Sequence, residues 1–500
     1  MGTLQNLLMG LQSAVTAQNI LFTFVGGILG LLVGAMPGIG SVAGTALLLP
    51  LTYSMNPTSA IIMLAAIYYG NMFGGAFSSI LINIPGDASA AMTCLDGYPL
   101  AKKGNPGKAL LTSMTASFVG GAIGAVLLTV LGPLAAKMGL KFGPAELSLL
   151  LLLAMTSIGW MIGDDPMKGL LATAFGIAIG VIGTNPTTGM PRLNFGSIHF
   201  TVGIQMLPLV IGMFGFEQVI EMVAEREKFE GGDAIQKISI KKSLFTKEDV
   251  KTLAPVVPRS GLLGFVIGIL PGAGALVATL LSYATEKKLN KHPEKLGTGA
   301  IEGIAAPEAA NNAASMGAFA PMLALGVPGS TTAAVLMAGL MLWGLQPGPL
   351  LFTNQPEFVW SLIGSMYVGD LICLIVALAS IPLMMRIVKV PKGILAPVIV
   401  CICVLGAYCA NNRMIDIYIM IVAGLFGYCM HLADISTTPM LLAFVLCPMF
   451  ERYVRRAFDI SNGSLRIFVG SPICIVLIVC ILVLTLGPSV KKAVAKRKLS

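Results

Sequence analysis

The chain has 500 residues, of which 56% are hydrophobic and only 11% charged, with a formal net charge of +9. An ordinary soluble domain carries about 25% charged residues, so a water-soluble fold could not hide this much apolar surface. The positive charge would suggest nucleic acid in a soluble protein, but here Lys and Arg sit in short loops between apolar runs, which is the positive-inside pattern of a bilayer protein.

The N-terminus lacks a basic segment and a small-residue cleavage site before the first apolar run, so no removable signal peptide is expected. Along the chain, Ile20 to Val33, Ala109 to Leu131, Leu371 to Met385 and Ile473 to Leu486 are apolar runs that read as the cores of membrane spans. Together with similar stretches they predict an all-α polytopic membrane protein of roughly ten to twelve spans, several of them broken. The nine Cys are scattered, mostly inside apolar segments, and neither Cys401 and Cys403 nor the three His come with further ligands at metal spacing. They read as small core residues, and no metal or cofactor is expected beyond a coupling cation.

The sequence repeats itself. Gly30-Leu-Leu-Val-Gly34-Ala-Met-Pro37-Gly38-Ile-Gly40 returns as Gly264-Phe-Val-Ile-Gly268-Ile-Leu-Pro271-Gly272-Ala-Gly274, with every Gly and Pro in place. Further on, Leu81-Ile-Asn83-Ile-Pro85-Gly86-Asp87-Ala-Ser89-Ala-Ala91 is matched by Ala324-Leu-Gly-Val-Pro328-Gly329-Ser330-Thr331-Thr332-Ala-Ala334. Loop charges fix the relation between the copies. The first copy has no cation in Thr52 to Ser59, whereas the corresponding loop of the second holds Lys287, Lys288, Lys291 and Lys295. After the second motif the contrast reverses: Lys102, Lys103 and Lys108 follow in the first copy, and no Lys or Arg occurs from Trp343 to Glu357. Corresponding loops therefore lie on opposite membrane faces, which defines two inverted-topology repeats with discontinuous helices and re-entrant Pro-Gly hairpins. The expected organisation is a first repeat over 1–224, a cytoplasmic linker over 225–258, a second repeat over 259–488 and a basic cytoplasmic tail over 489–500.

Four Pro-Gly breaks interrupt apolar segments, at Pro37-Gly38, Pro85-Gly86, Pro271-Gly272 and Pro328-Gly329. Each frees backbone groups that survive at membrane depth only if buried in protein or facing a wet cavity. Half-helix N-termini after the breaks present partial positive charge to an anion. Gly40, Gly274, Asn83, Asp87, Ser89, Ser330, Thr331 and Thr332 stand beside them as substrate ligands. Glu308, Asn311, Asn312 and Asn71 are oxygen-bearing side chains suited to a hard monovalent cation. Asp87 has a second reading as the cap of a half-helix, and Arg413 with Asp416 reads as a structural ion pair. No dinucleotide fingerprint, phosphate loop or hydrolase motif is present: Gly38-Ile-Gly40-Ser-Val-Ala-Gly44 has the wrong spacing. An enzyme is not expected, although a gated channel or a membrane enzyme using Glu308 and Asp87 as an acid/base pair is the alternative.

Val33 to Gly40, Ser79 to Asp87 with Asp96-Gly-Tyr-Pro99, Gly268 to Gly274, Ala305 to Asn312 and Leu325 to Ser330 closely resemble the large membrane subunit, TctA type, of the tripartite tricarboxylate transporters. The resemblance runs from about Asn19 to the last span, including Ser461-Asn-Gly463. It implies a bacterial inner-membrane protein that works with a small membrane subunit and a periplasmic solute-binding protein. It also implies uptake of citrate or a related carboxylate driven by an ion gradient, taken as sodium, with substrate choice left to the binding protein.

The inversion gives a direct test. In a background cleared of the native cysteines, Cys placed at Asn56 or Asn354 is expected to react with an impermeant maleimide added outside, and Cys at Lys103 or Lys291 to stay unlabelled. The reverse pattern in either half refutes opposite orientation.

Overall fold

Hydrocarbon offers no partner to a backbone amide, so a chain this apolar must satisfy its backbone internally, and helices do so within one segment. The computed structural model describes residues 2–36, 39–161, 166–185, 188–224, 243–387 and 392–483. Among them, strand occurs only as the short pair Gly183–Thr184 and Pro191–Arg192. In the first half, α1 (Thr3–Ala14) precedes α2 (Ala17–Ala35), α3 (Gly40–Leu48), α4 (Pro57–Ile82), α5 (Ala91–Lys102), α6 (Pro106–Gly139), α7 (Pro144–Met161), α8 (Pro166–Gly180) and α9 (Met206–Ala224). The second half opens with α10 (Lys247–Ile269) and α11 (Gly274–Leu289), and α12 (Ile301–Gly317) with α13 (Phe319–Leu325) stands in place of α4. It continues through α14 (Thr331–Leu342), α15 (Pro356–Ile387), α16 (Lys392–Asn411), α17 (Met414–Leu432) and α18 (Thr437–Ile460), and α19 (Pro472–Val483) follows. The order of α2 to α9 is thus repeated from α10 to α18.

Seven of the described helices are long and apolar enough to cross a membrane, and six shorter apolar helices accompany them. The chain is an all-α, multi-pass membrane protein. A capping box of Thr246 and Asp249 starts α10 at Lys247, so the linker boundary drawn at residue 258 falls inside this helix. Residues 225–242 of that linker and the tail 489–500 lie outside the described residues.

Close backbone approach sets the direction of the central helices. A methyl group at Gly30 would strike the Ile67 carbonyl and one at Gly34 the Asn71 carbonyl, so α2 and α4 run parallel. Gly264 against Ala310 and Gly268 against Ala314 repeat the same contacts between α10 and α12. Consecutive spans joined by a short loop would be antiparallel, so the chain between each pair must turn back. It does so through α3 and α11, which are the return arms of re-entrant hairpins.

The copies exchange helices. α6 packs on α10 and α12 while α15 packs on α2 and α4, and α18 packs on α7 and α8 while α9 packs on α16 and α17. Gly120 of α6 abuts Ala309, Gly176 of α8 abuts Met440, and Gly212 of α9 abuts Met420. Each repeat therefore completes the other's core. Within membranes, where apolar burial gives helices no net drive to associate, small residues at such crossings supply the dispersion contacts that do.

Gly30→Ala and Gly264→Ala should each destabilise the protein by about 1–3 kcal/mol, because the new methyl meets backbone that cannot yield. Thermal aggregation in detergent is expected to show a lowered midpoint for both, and none for Gly2→Ala, whose α-carbon faces open space.

Candidate functional site

The breaks in the two copies are built alike. α2 ends at Ala35 and α3 starts at Gly40 with φ +66°, while α10 ends at Ile269 and α11 starts at Gly274 with φ +59°. Glycine enters this left-handed region at least cost, and asparagine tolerates it. Asn83 (φ 58°) closes α4 and Gly326 (φ 71°) closes α13, and each leads into its Pro-Gly pair. Gly86 and Gly329 then press on the ends of α2 and α10, where an added methyl would meet the carbonyl oxygens of Gly34 and Gly268. The Gly272 N–H donates to the Gly329 carbonyl at 3.1 Å. Asp87 and Ser330 hold equivalent places and cap the turns that follow: Asp87 Oδ1 accepts the Ser89 N–H at 3.0 Å and the Ser89 hydroxyl at 2.7 Å, and Ser330 Oγ accepts the Ala333 N–H at 3.1 Å.

The described residues that follow the breaks meet around one cavity of about 430 Å³. Its walls include Gly40, Ser41, Pro85, Gly86, Asp87 and Ser89 from the first copy, and Gly272, Gly274, Ala275, Leu276, Ser330, Thr331 and Thr332 from the second. Two side-chain contacts join the copies across it, Ser41 Oγ to Thr332 Oγ1 and Tyr68 Oη to Ser330 Oγ, both at 3.0 Å.

The electrostatics of the two halves differ. Asp87 Oδ2 accepts the Ser41 N–H at 2.7 Å, so the N-terminus of α3 is already faced by the protein's own carboxylate. In the second copy a neutral hydroxyl, Ser330, lies beside Gly274, and the first-turn residues Gly274, Ala275 and Leu276 of α11 open on the cavity. First-turn amides have no acceptor within their own helix and attract anions. Among the described residues no Lys or Arg lines the cavity.

Glu308, Asn311, Asn312 and Asn71 do not line it. Glu308 is fully buried in α12 and accepts hydroxyl protons from Thr93 of α5 at 2.5 Å and Ser117 of α6 at 2.9 Å. Asn312 Nδ2 donates to the Glu308 carbonyl at 3.2 Å, while Asn312 Oδ1 and both amide atoms of Asn311 and Asn71 are buried without a hydrogen-bond partner. Asn83, Pro271, Pro328 and Gly329 form the turns behind the cavity wall rather than its surface. Pro37 and Gly38 lie outside the described residues. Arg413 and Asp416 do form the expected ion pair, at 3.0 Å.

Several lining residues escape the sequence reading. Ser436 and Thr438 open α18 with the same hydroxyl triplet as Ser330 to Thr332, a signal that was there to be read. Phe214 and Gln218 reach the cavity from α9, whose π-helical turn over Ile211–Phe216 re-aims the side chains that follow. Such a turn leaves no mark in hydrophobic periodicity. Asp96 is the most densely bonded carboxylate nearby. It accepts the N–H groups of Gly297 at 2.9 Å and of Gly299 and Ala300 at 2.8 Å, and the Tyr283 hydroxyl at 2.9 Å, thereby fixing α5 to the loop ahead of α12.

With the geometry in view, comparison with known proteins is informative. The sequence model of the family described as "Tripartite tricarboxylate transporter TctA family" matches residues 20–442. A relative from Agrobacterium vitis, described as "Uncharacterized 52.8 kDa protein in TAR-I ttuC' 3'region", is 37% identical over 497 residues, covering 98% of both chains. A second from the same organism, "Uncharacterized protein in TAR-II ttuC' 3'region", is 40% identical over 232 residues, which is 46% of this chain and 96% of that one. No solved structure matched the chain.

Asp96→Asn leaves one acceptor oxygen where two now serve several donors. Hydrogen bonds to a charged group contribute about 1.5–3 kcal/mol each, so deuterium exchange at Gly297, Gly299 and Ala300 should quicken by about tenfold or more, with exchange in α2 unchanged.

Proposed function

The chain belongs to the tripartite tricarboxylate transporter TctA family, a family of transporters, and from that premise we propose that it is the large permease subunit of a binding-protein-dependent secondary transporter. It imports a small carboxylate, citrate or another di- or tricarboxylate, by symport with a cation, sodium. It does so in the bacterial inner membrane, taking substrate from a periplasmic solute-binding protein and working with a small membrane subunit.

The observation that supports this reading is the cavity between the inverted repeats, where half-helix N-termini meet hydroxyl side chains and no cationic side chain. A substrate carboxylate would rest on the first-turn amides of α11 and on Ser330, Thr331 and Thr332. Asp87 repels it from the α3 end and biases it toward the second copy, with Pro85, Gly86 and Ser89 completing the opposite wall. A polyanion entering a space that already holds Asp87, with no Lys or Arg to offset it, requires a cation to travel with it. The unpartnered oxygens of Asn311 and Asn312, one turn along α12 from Glu308, are suited to that cation, and Asn71 offers the same from α4. The cavity volume lies within the range of about 300–1,000 Å³ usual for small-molecule sites.

Losing one charged or amide ligand from a dry site costs roughly 1–3 kcal/mol, or about one to two decades of affinity. In vesicles holding the complete transporter, Glu308→Gln and Asn311→Ala should raise the sodium concentration for half-maximal uptake. Ser330→Ala and Thr331→Val should raise the apparent constant for the carboxylate. If all four leave both constants within a factor of about two at equal expression, these residues are not the site; uptake that tracks ATP and ignores every ion gradient overturns symport itself.

A further inference from the structure

Five carboxylates are buried among the described residues, and four of them have donors. Asp96 accepts backbone amides and Tyr283, Glu286 pairs with Arg259, Glu308 accepts Thr93 and Ser117, and Asp416 pairs with Arg413 and Asn411. Asp370 is the exception. It lies in the middle of α15, only 1% exposed, and neither of its side-chain oxygens has a hydrogen-bond partner.

Its surroundings cannot compensate a charge. Gly121 of α6 faces the carboxylate so closely that an added methyl would lie 2.6 Å from Oδ1. From α4 comes Tyr69, which packs on Gly369 and whose hydroxyl donates to the Ser365 carbonyl at 3.5 Å. Cys373 stands one turn along α15 and abuts Gly27 of α2. α1 and α2 carry no ionisable side chain, and the cations of α6, Lys108 and Lys137, stand near its two ends. A sodium ion needs several oxygen ligands, and Gly121 supplies no side chain at all. An ionised carboxylate left alone at membrane depth is prohibitively costly, whereas the neutral acid fits. α6 and α15 are equivalent helices of the two repeats, so Asp370 sits at a crossing between the copies.

We propose that Asp370 is a proton carrier, separate from the substrate cavity, so that each transport cycle moves one proton beside the substrate and its coupling cation. In one orientation the carboxylate takes a proton from water on the substrate-entry side and forms an O–H bond. In the other, that bond breaks, the proton passes to water on the opposite side, and the carboxylate is restored. This goes beyond the symport proposed above, which Glu308 and its neighbours serve, and the two are tested apart.

The experiment uses proteoliposomes of the complete transporter with equal sodium on both sides and the membrane potential clamped, and reads citrate accumulation against an imposed pH difference, acid outside. For one proton per turnover the wild-type accumulation ratio should rise about tenfold per pH unit. Asp370→Asn should abolish that dependence while preserving citrate exchange at zero gradient, which needs no net proton movement. A wild type indifferent to the pH difference, or an Asp370→Asn variant that follows it like the wild type, overturns the proposal. Should the variant fail to exchange, the wild-type protein is treated with an apolar carbodiimide, which adds to protonated carboxyls. An adduct on the Asp370 peptide that declines as pH rises is expected, and its absence at all pH values overturns the proposal. Uptake that follows the pH difference but ignores a sodium gradient would sink sodium coupling and leave the Asp370 assignment standing.

Discussion

The approach of α2 to α4, and of α10 to α12, over glycine is the contact on which the rest of the structure depends. Gly30 and Gly34, with Gly264 and Gly268, let backbone lie on backbone where any side chain would hold the helices apart. Because the paired helices run parallel, the chain between them must reverse within the membrane, and the Pro-Gly breaks are where it does so. The freed backbone groups at each reversal have no lipid-compatible partner. They are gathered instead around one cavity between the copies, so the packing contact and the candidate site follow from the same few residues.

Exchange of helices between the repeats turns two weak halves into one unit. α6 and α15 each complete the other copy's central pair, and α9 and α18 each complete the other copy's outer bundle. Across the cavity itself the copies touch through hydroxyl pairs, Ser41 with Thr332 and Tyr68 with Ser330. Individual neutral hydrogen bonds of this kind contribute about 0.5–1.5 kcal/mol, so the interface at the site is far easier to open than the glycine-packed contacts around it. For the transport proposed above, that contrast would put the softer seam at the cavity.

Near-symmetry also makes the differences between the copies legible. Asp87 and Ser330 occupy equivalent caps, yet one puts a negative charge at a half-helix N-terminus and the other leaves its counterpart neutral. An inverted repeat with identical halves would present an anion with two equal ends. Here the single substitution of hydroxyl for carboxylate orients the cavity.

Much of this could be read directly from the residues. Matching glycines and prolines, and loops whose cations change sides, define the repeat and its inversion, because both are one-dimensional patterns that the bilayer imposes on the chain. The Pro-Gly breaks pointed to ten residues of the cavity wall, since a break at membrane depth must be buried or wet. What the linear order could not contain was which distant segments meet. Phe214 and Gln218 reach the cavity only because α9 crosses to the other repeat and carries a π-helical turn, and Glu308 leaves it because α5 and α6 close over α12. The isolation of Asp370 is likewise a property of packing: a charge in an apolar run is visible in sequence, but whether a partner stands beside it is decided by three helices that arrive from elsewhere in the chain.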